Sequence, residues 1–257
     1  MAEETIAILS GKGGVGKTSI SANLGSILSH VFDKEVVIID TDVTTSHLGV
    51  HMGFHYNPAT ITSVLQGEHD PEESVYEHET GVKVVPGALN YDEVKEVDVY
   101  NIGEIIDTVA EGADYAILDC SPGLDREASA ALRASDQALY IARPSFTSVI
   151  DVVRTDSLLE DLETPAMGVV LNMVRGKKHE IGHDEVESFT GIDVIGSIPY
   201  DDAMEESAAQ GTPLAIYEPD SPASRAIEDL AVEIIGGESE KKRSGLVRKI
   251  RELFPRL

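Results

Sequence analysis

The sequence predicts an α/β protein: a doubly wound, mostly parallel sheet flanked by helices, with an amphipathic helix at its C-terminal end. Three observations predict it. Short, near-continuous apolar runs alternate with longer segments of helical periodicity, as strands buried on both faces require. The first run is followed at once by Gly11-Lys12-Gly13-Gly14-Val15-Gly16-Lys17-Thr18, which fits the phosphate-loop spacing G-x-x-x-x-G-K-[ST] between a strand and a helix. The last thirteen residues place apolar side chains at helical intervals, with cations between them.

In chain order, the apolar runs predict strands over Thr5–Ser10, Glu35–Asp40, Val82–Pro86, Tyr115–Asp119, Gln137–Arg143, Ala166–Leu171 and Asp193–Ser197. Helical patterns between them predict helices over Thr18–Phe32, Asn101–Glu111, Glu127–Ala134, Thr147–Leu162, Asp201–Gln210 and Ser221–Ile235. No internal repeat interrupts this alternation. Gly236-Gly237-Glu238-Ser239-Glu240 has the composition of a flexible linker. The expected organisation is therefore a nucleotide-binding domain over 1–236, a linker over 237–244 and a helix over 245–257.

Charge is unevenly distributed. The chain carries 20 Lys and Arg against 46 Asp and Glu, a net charge of −26. Residues 241–257 hold seven cations against one glutamate, a net +6, which leaves −32 on the preceding 240 residues. An acidic body disfavours nucleic acid as a partner. It also suggests a salt-rich cytoplasm, where a carboxylate-covered surface keeps a protein soluble. No basic-then-apolar leader opens the chain and no apolar run approaches the ~18 residues of a membrane span, so a cytoplasmic protein is expected. The single cysteine, Cys120, permits no intrachain disulfide and reads as a buried thiol.

The chemistry expected of the loop follows from its composition. Its glycines let the backbone point N–H groups at a phosphate, and the helix beginning near Thr18 and Ser19 adds its positive end. Lys17 is placed to reach the β- and γ-phosphates, and the Thr18 hydroxyl to ligate Mg²⁺. Acidic partners come from the ends of two other runs. Val36–Ile39 ends in Asp40-Thr41-Asp42, and Tyr115–Leu118 ends in Asp119. Asp119 is the natural carboxylate for the Mg²⁺ shell, and one of Asp40 and Asp42 would orient the attacking water. Gly123 lies where a backbone N–H would approach the γ-phosphate.

The stretch Lys12-Gly13-Gly14-Val15-Gly16-Lys17-Thr18 resembles the deviant Walker A motif of the MinD/ParA ATPases, whose signature is the additional lysine matched by Lys12. The likeness is nearest to MinD, and it extends from about Thr5 to Ile235 and again at the C-terminus. It implies ATP or ADP with Mg²⁺ as ligands. It further implies that Lys12 crosses an ATP-sandwiched homodimer to contact the partner's phosphates, making hydrolysis slow and dependent on dimerisation. By the same resemblance, Asp42 matches the water-positioning carboxylate of switch I, and Asp40 an acidic residue near Mg²⁺. Asp119 and Gly123 match the Walker B and switch II positions. Asn172 matches an adenine-contacting asparagine, and Ile198-Pro199-Tyr200-Asp201 the segment closing over the base, with Pro199 and Asp201 as contacts. Switch I departs from the family as Val43-Thr44-Thr45-Ser46-His47-Leu48. Switch II reads Asp-Cys-Ser-Pro-Gly, and Ser145 stands where a glutamate often faces the partner subunit.

The terminal segment puts Leu246, Val247, Ile250, Leu253, Phe254 and Leu257 on one face, with Arg248, Lys249 and Arg251 on the other. Such a basic amphipathic helix reads as an anionic-membrane anchor, and it resembles the C-terminal targeting helix of MinD. At molar salt the screening length falls to about 3 Å, so the apolar residues would supply most of the attachment. Two helices on a dimer would hold far better than one. The expected function is thus an ATP-timed switch on the inner face of the cell membrane that positions division, motility or chemosensory proteins, with an unidentified cargo or activator. The alternatives are a ParA-like ATPase partitioning DNA or cargo, and a nucleotide-bound scaffold without appreciable hydrolysis. His47, His51 and His55 recur every four residues, but Gly49, Gly53 and Pro58 argue against a continuous metal-binding helix. His179 and His183 are expected as exposed loop residues, and Glu68–Glu79 as a solvated acidic face.

Overall fold

The computed structural model describes residues 1–89, 97–159, 162 and 164–236. The linker and amphipathic helix expected over 237–257 lie outside the described residues. Eight strands form one sheet: β1 (Glu4–Leu9), β2 (Val36–Asp40), β3 (Tyr76–Glu77), β4 (Lys83–Val85), β5 (Tyr115–Asp119), β6 (Gln137–Ala142), β7 (Ala166–Val174) and β8 (Val194–Pro199). Their order is β3-β4-β2-β5-β1-β6-β7-β8. Every neighbouring pair is parallel except β3 with β4 at one edge.

Ten helices cover the described part of the sheet and its ends: α1 (Lys17–His30), α2 (Leu48–His51), α3 (Ile61–Leu65), α4 (Ile102–Val109), α5 (Arg126–Arg133), α6 (Phe146–Leu159), α7 (His183–Thr190), α8 (Asp202–Gln210), α9 (Leu214–Tyr217) and α10 (Pro222–Ile234). Strand alternation divides the core into two layers. Ile6 and Ile8 of β1 pack with Leu24 and Ile27 of α1 and Ile227 and Leu230 of α10. Ala7 and Leu9 pack on the opposite side with Ile102 and Ile106 of α4, Leu132 of α5 and Val149 of α6. Each of these large apolar side chains is almost fully buried, worth about 2 kcal/mol of transfer free energy.

Local signals set several helix starts. The Asp125 side chain accepts from Ala128 N–H ahead of α5, and Asp201 accepts from Ala203 N–H ahead of α8. Ser221 accepts from Ser224 N–H ahead of α10, which begins on a proline.

Three sequence expectations need correction. Asn172 does not follow the seventh strand; it lies inside β7, which bulges at Met173 (φ 61°) and continues to Val174. Pro199 is likewise the last residue of β8, which runs two residues beyond the expected strand end at Ser197. His183 does not lie in a loop: it opens α7, and its Nε2 lies 2.7 Å from Ser197 Oγ. The acidic stretch after residue 68 holds a 3₁₀ turn, Pro71–Ser74, whose Asp70 N–H donates to Glu73.

Candidate functional site

The sheet order reverses around β1, which has β5 on one side and β6 on the other. Ligands of open α/β sheets bind at such a point, beyond the carboxyl ends of the strands. Asp40 and Asp119 are paired in register at the ends of β2 and β5, and Ile8 of β1 is in register with Asp119. The loop leaving β1 therefore emerges beside both carboxylates. A cavity of about 330 Å³ lies against it, lined by the loop backbone with Ser19, Asp42, His47 and His51. A larger hollow of about 1,160 Å³ lies between α4 and α5, but no phosphate-loop backbone lines it.

Close packing fixes the loop. Gly16 has φ 91°, and a Cβ there would come within 2.2 Å of Asn172 Nδ2. Asn172 Nδ2 donates to Val15 O at 2.8 Å, while its Oδ1 accepts from Met173 N–H at 2.9 Å. Asn172 thus ties β7 to the loop, and both ends of its amide are engaged within the protein. A Cβ on Gly11 would meet Asp151 Cβ at 2.3 Å, so the front of the loop rests on α6.

The two lysines have separate surroundings. Lys17 is buried, with Nζ 3.5 Å from Asp119 Oδ1. Burial alone would lower its pKa; the charge of Asp119, with Asp40 and Asp42, outweighs this and raises it, keeping the ammonium charged. Lys12 is half-exposed, and its Nζ lies 2.8 Å from Asp151 Oδ2 on α6 of the same chain. Arg154 lies on the other side of the same carboxylate, at 3.8 Å.

The carboxylates are crowded. Asp40 is fully buried, and burial followed by the charge of Asp119 pushes it up to about 7. Its Oδ2 accepts from Ser46 Oγ at 2.5 Å and from Leu48 N–H at 3.2 Å. Asp119 Oδ1 also accepts from Ser21 Oγ at 3.0 Å. Asp42 accepts from Thr45 N–H at 2.9 Å and from the hydroxyls of Thr44 and Thr45, so its own switch segment folds back over it. Glu127, at the start of α5, is raised to about 7 by burial, then by Asp125 and Asp42, against the backbone N–H groups of Val43 and Thr44. One of its oxygens is buried without a hydrogen-bond partner.

These donors fit Mg²⁺: two buried carboxylates that repel each other, at strand ends next to the loop that carries Thr18, are a hard-oxygen set with excess negative charge. Asp40, Asp119 and Thr18 would hold the ion, which when bound polarises phosphate oxygens. Among the described residues no group of three His, Cys, Asp or Glu side chains forms a metal site on its own. The histidine series does not do so: α2 spans only Leu48–His51.

Two expected ligand contacts are differently engaged. Gly123 N–H donates to Ser10 O at 2.8 Å, joining switch II to the loop rather than pointing into the cavity. The Asp201 carboxylate accepts from Ala203 and Ala223 N–H, tying α8 to α10. Asp201, Pro199 and Asn172 do line a small common hollow with Gly16. Sequence reading missed Asp151, Ser21 and Ser46. Each reaches the site from a helix or switch position with no motif of its own; only Ser21, one helical turn after Lys17, carried a periodic signal.

A mononucleotide-sized cavity on a phosphate loop, at the reversal point of a parallel sheet, defines a P-loop NTPase. The chain belongs to the ParA family, whose model, described as NUBPL iron-transfer P-loop NTPase, matches residues 1–235. It is 34% identical to an ATP-binding protein of Methanocaldococcus jannaschii over 98% of this chain and 97% of that one. The cell division ATPase MinD of Pyrococcus furiosus superposes with a TM-score of 0.86 at 30% identity, covering 90% of this chain and 98% of that one. MinD of Pyrococcus horikoshii, solved with Mg-ADP, gives 0.85 at 27%, covering 90% and 95%. Cys120 is the single cysteine of the sequence, and burial pushes its thiol up to about 12.

Proposed function

We propose that this protein is a MinD-like ATPase that dimerises on ATP, attaches reversibly to an anionic membrane through residues 245–257, and positions other proteins in the cell. The observation that carries the reading is the division of labour between the lysines. Lys17 lies buried beside Asp119, at its own subunit's phosphate site. Lys12 is half-exposed and held away from that role by Asp151. A cation parked on a partly exposed ion pair is available to a second subunit at small cost.

The mechanism follows from the residues. The loop backbone and Lys17 bind the triphosphate, and Thr18, Asp40 and Asp119 would hold Mg²⁺, which would neutralise charge on the phosphate oxygens. Asp42 orients water for in-line attack on the γ-phosphorus and accepts its proton; ADP leaves as the bridging bond breaks. Lys12 from the second subunit adds positive charge to the phosphoryl oxygens and so links turnover to dimerisation. Release of phosphate separates the subunits and removes the avidity that held two terminal helices on the membrane. Support for the membrane step comes from the amphipathic pattern of residues 245–257 and the net +6 of residues 241–257 that contain it. Support for the nucleotide comes from the Mg-ADP complex of the Pyrococcus horikoshii relative. No described helix is long and apolar enough to cross a membrane.

Sedimentation velocity tests the reading. Wild type should be monomeric with ADP and dimeric with ATP, whereas Lys12→Ala should bind ATP and remain monomeric. Equal dimer content with either nucleotide would reject it.

A further inference from the structure

The short helix α2 that follows switch I places a histidine against the start of α1. His51, the last residue of α2, makes two contacts: Nδ1 lies 3.0 Å from His47 O, and Nε2 lies 3.4 Å from Ser19 Oγ. A carbonyl oxygen only accepts, so Nδ1 carries a proton and donates to it. In the neutral ring Nε2 is then an acceptor, and Ser19 Oγ–H donates to it. The single proton of the Ser19 hydroxyl is thereby turned away from the phosphate cavity that both residues line. If the ring gains a second proton, Nε2–H donates to Ser19 Oγ, and the hydroxyl proton is released toward an anion in the cavity.

The cavity has room for such a donor. Lys17, which lines it, is already beside Asp119, and Lys12 of the same loop is on Asp151. The other titratable or charged groups around His51 are Asp42 and His47 in switch I, and Asp202, Glu205 and Glu206 on α8, which packs against α2 together with α1. Glu205 shares a small hollow with Ser19. An arriving polyphosphate brings negative charge beside the ring and favours its second proton.

We propose that His51 is a positioning residue that aims the Ser19 hydroxyl at the nucleotide phosphates, taking up one proton as the nucleotide binds. The step is a proton gain from solvent at Nε2 with rotation of one hydroxyl; no covalent bond to the nucleotide is made or broken. The inference rests on the nucleotide-site reading above and adds the α2 histidine and a proton to it.

The test is a titration of the full chain with Mg-ADP at pH 6, 7 and 8, in buffers of different ionisation enthalpy so that calorimetry counts protons. Wild type should bind several-fold more tightly at pH 6 than at pH 8, within the roughly tenfold ceiling set by a one-unit rise in one group's pKa on binding, with net proton uptake near neutrality. His51→Gln, which keeps a polar group near Ser19 but cannot charge, should flatten the profile. Ser19→Ala should flatten it too, and the double variant should resemble either single variant. His47→Gln should keep the slope. An unchanged slope in His51→Gln, or loss of the slope in His47→Gln alone, would overturn the proposal while leaving the nucleotide site intact. Failure of wild type to bind Mg-ADP at any pH would reject the nucleotide site itself. Matching thermal melts of the variants and wild type ensure that a flat profile reports on the relay rather than on unfolding.

Discussion

Replacing Asp151 by Asn removes the charge that holds Lys12 while keeping the side chain's shape and the Cβ on which Gly11 packs. The ion pair is partly exposed, with 48% of the lysine and 20% of the aspartate side chain accessible, so its worth is about 1 kcal/mol. Each subunit must break its own pair before Lys12 reaches across, and a dimer breaks two. Removing both offsets should therefore favour the ATP dimer by about 2 kcal/mol, roughly thirtyfold in the dimerisation constant. Equilibrium analytical ultracentrifugation with a non-hydrolysable ATP analogue at ordinary ionic strength measures this directly. The gain should shrink at molar salt, because screening already weakens the pair in wild type. A dimerisation constant for Asp151→Asn equal to or weaker than wild type at low salt would refute the idea that Asp151 restrains Lys12. Tightening that persists without nucleotide would refute the link to ATP.

Other perturbations separate the parts of the site. Gly16→Ala places a Cβ 2.2 Å from Asn172 Nδ2 at φ 91° and should cost about 2–3 kcal/mol through backbone strain and the lost Asn172–Val15 hydrogen bond; urea unfolding reads it, and a loss under 1 kcal/mol would contradict the packing. Lys17→Ala should abolish ADP binding, whereas Lys12→Ala should leave it within a few-fold of wild type; equilibrium dialysis distinguishes the two. Asp40 has its folded-state pKa raised to about 7 by burial and then Asp119, above its unfolded value of about 4. The folded protein therefore holds a proton that the unfolded chain lacks between those values, and the Asp40 contribution to stability declines as pH rises from about 4 to 7. Asp40→Asn should remove that decline and stabilise the ligand-free protein at pH 8 by on the order of 2 kcal/mol; a variant less stable than wild type at pH 8 would contradict this.

What the sequence revealed follows from which forces are local. Strands buried on both faces must be apolar throughout, so Tyr115–Asp119 was legible to the residue and the others within a few positions. Strand β3 has two residues, and α2, α3 and α9 have four or five, too short to complete a periodic pattern. Helix α7 starts on His183 after a glycine N-cap and buries only Val186, so little apolar periodicity announced it. The extension of β7 through Asn172 depends on a left-handed Met173 and on a hydrogen bond to Val15, far away in sequence.

The phosphate loop and its acidic neighbours were legible because strand ends deliver them to one place. Their engagement was not. The pairing of Lys12 with Asp151, the Gly123 bond to Ser10 and the His51 contact with Ser19 all join segments that only the fold brings together. Switch I illustrates both sides: its unusual residues were visible as a departure, but their placement over Asp40 and Asp42 required the structure.

The most direct measurement of the central claim is co-sedimentation of the full chain with anionic phospholipid vesicles in the presence of ADP or a non-hydrolysable ATP analogue, beside a variant lacking residues 245–257. Pelleting should be strong only for the full chain with the ATP analogue, should weaken with ADP, and should vanish for the shortened variant. Equal pelleting of the full chain with both nucleotides, or undiminished pelleting without the terminal segment, would contradict an ATP-timed membrane switch.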